Sequence, residues 1–257
     1  MLYRPPVPRV SALAGFSRRV GALAVCVMII GLVGFRLGTM APDNAVAVVM
    51  AAGALGVAAL VLAAAGFQPV WENGALGAGD VVAAAVWGVA AAVPAAAVYL
   101  ALGAFPPITD VSTDLDDPPL YKLAAFQRVG SANPAGLPDP AGLARQRDAY
   151  PDLVTRRYAL GSAQIFRLSH RIATSLGWKV VDEVSAREDG DMGRIEATAR
   201  GLFTGVAADV VVRIYGDGSG TRIDLRSSSR SGSFDFGENA GRIRDFLSEL
   251  DRQTGEG

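Results

Sequence analysis

The residues best suited to chemistry lie near the end of the chain. Arg226-Ser227-Ser228-Ser229-Arg230-Ser231-Gly232-Ser233 leads through Asp235 to Asn239 and Arg242, after a β-rich run and at the opening of a helical pattern. A helix start offers unpaired backbone N–H groups and the positive end of the helix dipole, both of which favour an anion. Arg226, Arg230 and Arg242 add fork-shaped donors, Ser227, Ser229 and Ser233 add hydroxyls, and Asn239 stands beside them. A phosphate, sulfate or carboxylate fits such a set. A structural role fits the same residues: the arginines pair with Asp110, Asp114 or Asp117 and pin an acidic linker to the core, while the serines cap the helix.

Other arrangements are less complete. Asp110, Ser112 and Asp114 alternate as at the start of a helix-loop-helix calcium loop, but Leu115 stands where that loop needs glycine and Tyr121 where it needs a bidentate glutamate. His170 is the single histidine, with no closely spaced Cys or His to complete a zinc site. It sits near an apolar helical stripe, as a boundary histidine does. No Gly-x-Ser-x-Gly elbow marks a hydrolase nucleophile. Gly216-Asp217-Gly218-Ser219-Gly220 lies between two strand-like runs, where a hairpin turn accounts for it better than a phosphate loop does. No cofactor motif emerges.

The elements that must position these residues are legible from Ser162 onward. Ile165, Phe166, Leu168, Ile172, Ala173 and Leu176 recur at helical spacing between Ser162, a plausible cap, and Gly177. Four β-rich segments follow, Trp178 to Val184, Arg194 to Phe203, Asp209 to Tyr215 and Thr221 to Arg226. A last helix is expected from about Asn239 to Arg252, with Ile243, Phe246, Leu247 and Leu250 on one stripe. The order α-β-β-β-β-α predicts an α+β domain: an antiparallel four-stranded sheet with two helices on one face and a polar opposite face. Residues 161–257 form this core. Residues 106–160 form an acidic, Pro-rich linker and wrapping segment draped over it, with short helical possibilities at Tyr121 to Gln127 and Gly142 to Asp148.

In front of this domain lie three uncharged apolar stretches: Val20 to Phe35, Ala45 to Trp71 and Val81 to Phe105. The second and third exceed the roughly 20 residues that a helix needs to cross a bilayer, and the first is a minimal span that reaches Met40 if Arg36 snorkels. Three transmembrane helices are expected at about 20–40, 45–67 and 81–105. Arg4, Arg9, Arg18 and Arg19 precede the first span, which predicts a cytoplasmic segment at 1–19 and, after three crossings, a domain outside the cytoplasm. The second connection carries no Lys or Arg, although this topology makes it cytoplasmic. A cleaved signal peptide is the competing reading of the first stretch, and two spans would then remain. Ala52 with Gly56, and Ala54 with Ala58, form small-xxx-small pairs suited to packing among the spans or to a dimer face. The formal net charge is −1 and the charges of the soluble part nearly balance, so no overall field recruits nucleic acid or an anionic membrane surface.

The soluble part also resembles a known family. Asp110-Val111-Ser112-Thr113-Asp114 with Asp117-Pro118-Pro119, Tyr150-Pro151, the Ser/Arg segment, and Asp235-Phe236-Gly237-Glu238-Asn239-Ala240-Gly241-Arg242-Ile243-Arg244 look like the bacterial family catalogued as domain of unknown function 1499. The resemblance covers essentially all of the soluble part. It implies a domain that often follows apolar spans, and it supplies no catalytic residues to carry over.

Together these features predict a bacterial inner-membrane protein whose periplasmic domain binds an anionic small molecule or an envelope protein near Arg226, Ser227, Ser229, Arg230, Asn239 and Arg242. The lipid bilayer is its other partner. The alternative is a hydrolase of a phosphorylated or acidic envelope substrate, in which His170 or Asp235 moves the proton.

Overall fold

The first of two units holds three long helices, α1 (Ala12–Arg36), α2 (Pro42–Asn73) and α3 (Ala78–Ala104). In this computed structural model, residues 10–128, 133–186 and 191–255 are described, and the units divide between Gly103 and Ala104. Arg4, Arg9 and residues 129–132 of the wrapping segment fall outside the described residues. All three helices are long and apolar enough to cross a membrane, the pattern of a multi-pass membrane protein.

Small residues bring these helices together. Ala52, Gly53, Gly56, Ala59, Ala63 and Gly66 form the buried stripe of α2, whereas Ala54 and Ala58 are exposed. A Cβ on Gly56 would stand 2.7 Å from the Gly88 carbonyl oxygen of α3, and one on Gly66 would stand 2.7 Å from the Ala14 nitrogen of α1. The Ala52/Gly56 pair therefore packs inside the unit, as close helix approach in lipid requires. The beginning of α1 and the second connection share one end. Ser11 N donates to the Leu76 carbonyl at 2.9 Å, and Arg18 pairs with Asp80 at 2.8 Å. Gly56→Leu is expected to destabilise the detergent-solubilised chain by about 1–3 kcal/mol through overpacking, with Ala58→Leu close to neutral. Thermal unfolding of the two variants checks this.

The second unit carries the sheet. Its elements are β1 (Asp110–Ser112), α4 (Leu123–Gln127), α5 (Pro140–Ala149), β2 (Arg156–Tyr158), α6 (Ser162–Ser175), β3 (Lys179–Val184), β4 (Met192–Arg200), β5 (Ala207–Gly216), β6 (Thr221–Ser229) and α7 (Glu238–Thr254). The sheet is antiparallel, in the order β1-β6-β5-β4-β3, with β2 also on β6. The four expected strands are its long members, and β1 and β2 bring the total to six. Each added strand is three residues in a Pro-rich or Arg-rich stretch, too short to show alternation. Gln146 of α5 binds the free edge of β1 like a strand, accepting from Ser112 N at 3.0 Å and donating to Ser112 O at 2.6 Å.

Helices α6 and α7 cover one sheet face. Ile165 and Ile172 meet Phe246 and Leu250 over Ile195, Val210, Val212, Ile214, Ile223 and Leu225 in one core, and Trp178 stacks on Phe246 at 5.3 Å. The cap of α6 is Gly161 rather than Ser162, and Gly177 ends that helix region at φ 74°, a conformation that favours glycine.

Candidate functional site

The sheet face away from α6 and α7 is polar, as its alternation predicts, but it is also buried. Glu196 and Asp209 are 0 % exposed, Asp224 is 1 % and Arg226 is 0 %. The segment after β1 and α4 lie over this face and supply partners. Arg226 grips Asp110 with two hydrogen bonds, Nε to Oδ1 at 2.9 Å and NH2 to Oδ2 at 2.6 Å. It also donates to the Pro119 and Gly136 carbonyls and lies over the Tyr121 ring at 4.8 Å. Arg213 joins Asp114 at 3.0 Å, Asp117 at 2.7 Å and Asp224 at 2.9 Å. Asp209 is shared by Arg128 at 2.6 Å and Arg230 at 2.7 Å. Glu196 accepts from the backbone N–H groups of Lys122 and Ala124 at 2.7 and 2.9 Å, which fixes the start of α4. Burial pushes the Tyr121 hydroxyl well above its ordinary value, with the Asp110 charge adding to the rise. It stays a donor, to the Asp209 carbonyl at 3.0 Å.

Strand alternation separates the residues of the Ser/Arg segment. β6 does not stop at Arg226; it pairs with β5 through Ser229. Arg226 and Ser228 therefore face the ion-pair layer, while Ser227 and Ser229 face α7. There Ser227 donates to Asn239 Oδ1 at 2.7 Å, and Asn239 Nδ2 donates to Ser229 Oγ at 2.9 Å and to the Thr109 carbonyl at 3.0 Å. Arg242 donates to Ser227 Oγ at 2.9 Å and Asn239 Oδ1 at 2.7 Å. Burial lowers its guanidinium below the ordinary value, against the raising charge of Glu238. Ser227, Ser229, Asn239 and Arg242 thus come together, Arg226 lies across the sheet from them, and Arg230 lies at the strand end. Ser233 is exposed.

Of the remaining candidates, His170 lies apart from both groups, whereas Asp235, Asp110 and Asp114 are bonded to members of them. His170, on α6, is 3.3 Å from Glu183 of the edge strand β3. Asp235 is buried and holds the start of α7, accepting from Gly237 N and Asn239 N, both at 2.9 Å. Burial raises its carboxyl, and the backbone hydrogen bond from Asn239 is the largest opposing effect. Asp110 and Asp114 are engaged by Arg226 and Arg213, and Ser112 donates to the Asp114 carbonyl at 2.8 Å. Among the described residues, no group of three or more His, Cys, Asp or Glu side chains assembles to hold a metal ion.

A cationic pocket lies where the residues alone did not point. A cavity of about 710 Å³ at the end of the sheet is lined by Lys179, Thr198, Arg200 and Arg230, with Gln127 and Leu176 beside them. Among the described residues, its lining contains no carboxylate. The Arg230 side chain is 20 % exposed there, with NH2 on Thr198 Oγ1 at 3.1 Å. Lys179 and Thr198 are cross-strand partners, and Arg200 ends β4. Only this register, which a single sequence does not print, brings Lys179 and Arg200 to Arg230. A second cleft of about 640 Å³, beside Asp152, Arg156, Arg244 and Asp251, mixes both charge signs and so selects neither.

An α+β domain with one helix-covered face and one sealed by ion pairs, preceded by three possible membrane spans, is the class of protein that this geometry defines. Residues 110–250 match the family described as Protein of unknown function (DUF1499), and the chain belongs to that family. No curated protein and no solved structure matches the chain.

Arg226→Met is expected to cost about 3–5 kcal/mol in denaturant titrations, because Asp110 loses the partner that offsets its burial. Adding Asp110→Leu should restore most of that loss. Arg230→Gln should cost clearly less, since Arg128 still neutralises Asp209.

Proposed function

We propose that this chain is a bacterial inner-membrane protein, N-terminus cytoplasmic, whose periplasmic domain binds an anionic ligand at Lys179, Arg200 and Arg230. The observation that carries the reading is a pocket lined, among the described residues, by three basic side chains and no carboxylate. Behind it, two arginines share the single carboxylate of Asp209, so that this local cluster holds one more positive than negative charge. Arg230 is the member of the Ser/Arg segment that turns to this pocket. Arg226 instead pins the acidic linker, and Asn239 and Arg242 tie β6 to α7. An envelope protein that presents acidic side chains would use the same cations.

Binding is favoured over turnover by position. His170 reaches Glu183, and Asp235 holds the helix start; neither lines the pocket. Orientation is supported by the arginines around the start of α1 and by the Arg18–Asp80 pair, which gives the second connection the basic neighbour that its own sequence lacks.

Phosphate, pyrophosphate or sulfate is expected to raise the thermal stability of the solubilised chain by nearly 3 kcal/mol at about one hundred times the dissociation constant. The double variant Lys179→Glu with Arg200→Glu should abolish the shift. Both side chains are exposed, so stability without ligand should change by only about 0.5 kcal/mol for each. An unaltered shift in the variant would move the anion elsewhere. For orientation, a periplasm-dependent phosphatase fused to the C-terminus should be active, and an inactive fusion would overturn the topology.

A further inference from the structure

The tip of the β4–β5 hairpin exposes two large apolar side chains, Leu202 at 84 % and Phe203 at 80 %. They are held out rather than loose. Glu238, in the first turn of α7, accepts from Phe203 N at 2.7 Å and Thr204 N at 3.2 Å, and Thr204 Oγ1 donates to its other oxygen. Gly201 makes the fit possible, since a Cβ there would stand 2.0 Å from Glu238 Oε2. A carboxylate and a glycine thus fix an apolar tip in water, an arrangement that solubility alone does not call for.

The strand registers place this tip at the same end of the sheet as the cationic pocket. β4 ends at Arg200, β5 begins at Ala207 opposite it, Lys179 begins β3, and Arg230 follows β6. β1 starts at that end too, with Asp110 opposite Ser228. Only Phe105 to Thr109 separate β1 from Ala104, the last residue of α3, a tether that reaches at most roughly 20 Å. The end of the sheet that carries the tip and the pocket is thus the end at which the chain enters the sheet after the third apolar helix. Basic side chains beside a protruding aromatic and a leucine match the chemistry of an anionic bilayer surface, where phosphates attract Lys and Arg and the interface accepts apolar side chains.

We infer that this end of the domain is a lipid-binding surface: Leu202 and Phe203 enter the headgroup region, and Lys179, Arg200 and Arg230 take the phosphate of an anionic phospholipid. The inference rests on the anion pocket proposed above and names the source of the anion. The recruitment is local, so the near-neutral overall charge does not oppose it.

The test uses the full chain in lipid nanodiscs, with Cys26→Ala and a polarity-sensitive fluorophore attached through Phe203→Cys. A second preparation carries the label through Ser219→Cys in the hairpin at the opposite end of the sheet. In discs containing phosphatidylglycerol, the label at 203 should emit at shorter wavelength and be quenched by spin-labelled lipid, and the label at 219 should not. Replacing phosphatidylglycerol with phosphatidylcholine, or introducing Lys179→Glu with Arg200→Glu, should weaken the quenching at 203. A label at 203 as unquenched as that at 219 would overturn the inference, as would one shielded from aqueous quencher yet untouched by lipid quencher, which indicates a protein contact. Quenching that ignores both lipid charge and the two substitutions would remove the headgroup assignment. Inorganic phosphate is tested separately by thermal shift on the same chain, so a stabilised domain with an unquenched label would sink the lipid reading and leave the anion pocket standing.

Discussion

Carboxylates taken out of water on the open face of the sheet set the terms for the rest of the domain. An isolated buried ion costs several kcal/mol even after relaxation, and Glu196, Asp209 and Asp224 are all essentially inaccessible. None is satisfied by its own strand alone. Asp209 needs Arg128 from beyond α4, Asp224 shares Arg213 with Asp114 and Asp117, and Glu196 needs the backbone of Lys122 and Ala124. The Pro-rich stretch from β1 to α5 is therefore part of the fold and not a spacer. The ion pairs do not have to add net stability to matter. They penalise every arrangement in which that stretch lifts away, and so they specify a single one.

The opposite face follows the opposite logic. Ile, Val, Leu and Phe from β4 to β6 and from α6 and α7 form one dry core, which supplies most of the driving force at roughly 25 cal/mol per Å² of apolar surface buried. Between the two layers, the Ser227–Asn239–Arg242 group stitches the last strand to the last helix. A chain without a helix or loop over its polar face would leave those charges in water. The same sheet would then present an open, charged plane.

Much of this was legible in the sequence, and the illegible parts have identifiable reasons. The spans declare themselves by length and lack of charge, and α6 and α7 by Ile165, Ile172, Phe246 and Leu250 at helical spacing. The four long strands show alternation strong enough to place them within a few residues. The family resemblance rests on motifs that lie inside the matched stretch. What failed to show was register. Ending the last strand at Arg226 made Arg226, Ser227 and Asn239 look like one site, and three more paired residues sent them to different faces. A one-residue step along a strand reverses which side a side chain serves. Lys179 and Arg200 were invisible as partners of Arg230 for the same reason, because cross-strand neighbours are far apart in sequence.

The pairing of Asp110 with Arg226 also governs when this domain is able to form. The first strand of the sheet lies against the last, 116 positions further along the chain, so the strand that follows the membrane anchor has no neighbour until nearly the whole domain has been synthesised. Contacts that close such long loops make folding slow. The acidic, Pro-rich composition of the segment suits such a delay, because charge and proline discourage pairing of a strand edge with other chains. Completion of the fold thus waits for its final strand, and the stretch that follows the third apolar helix is locked by a residue 116 positions further along the chain.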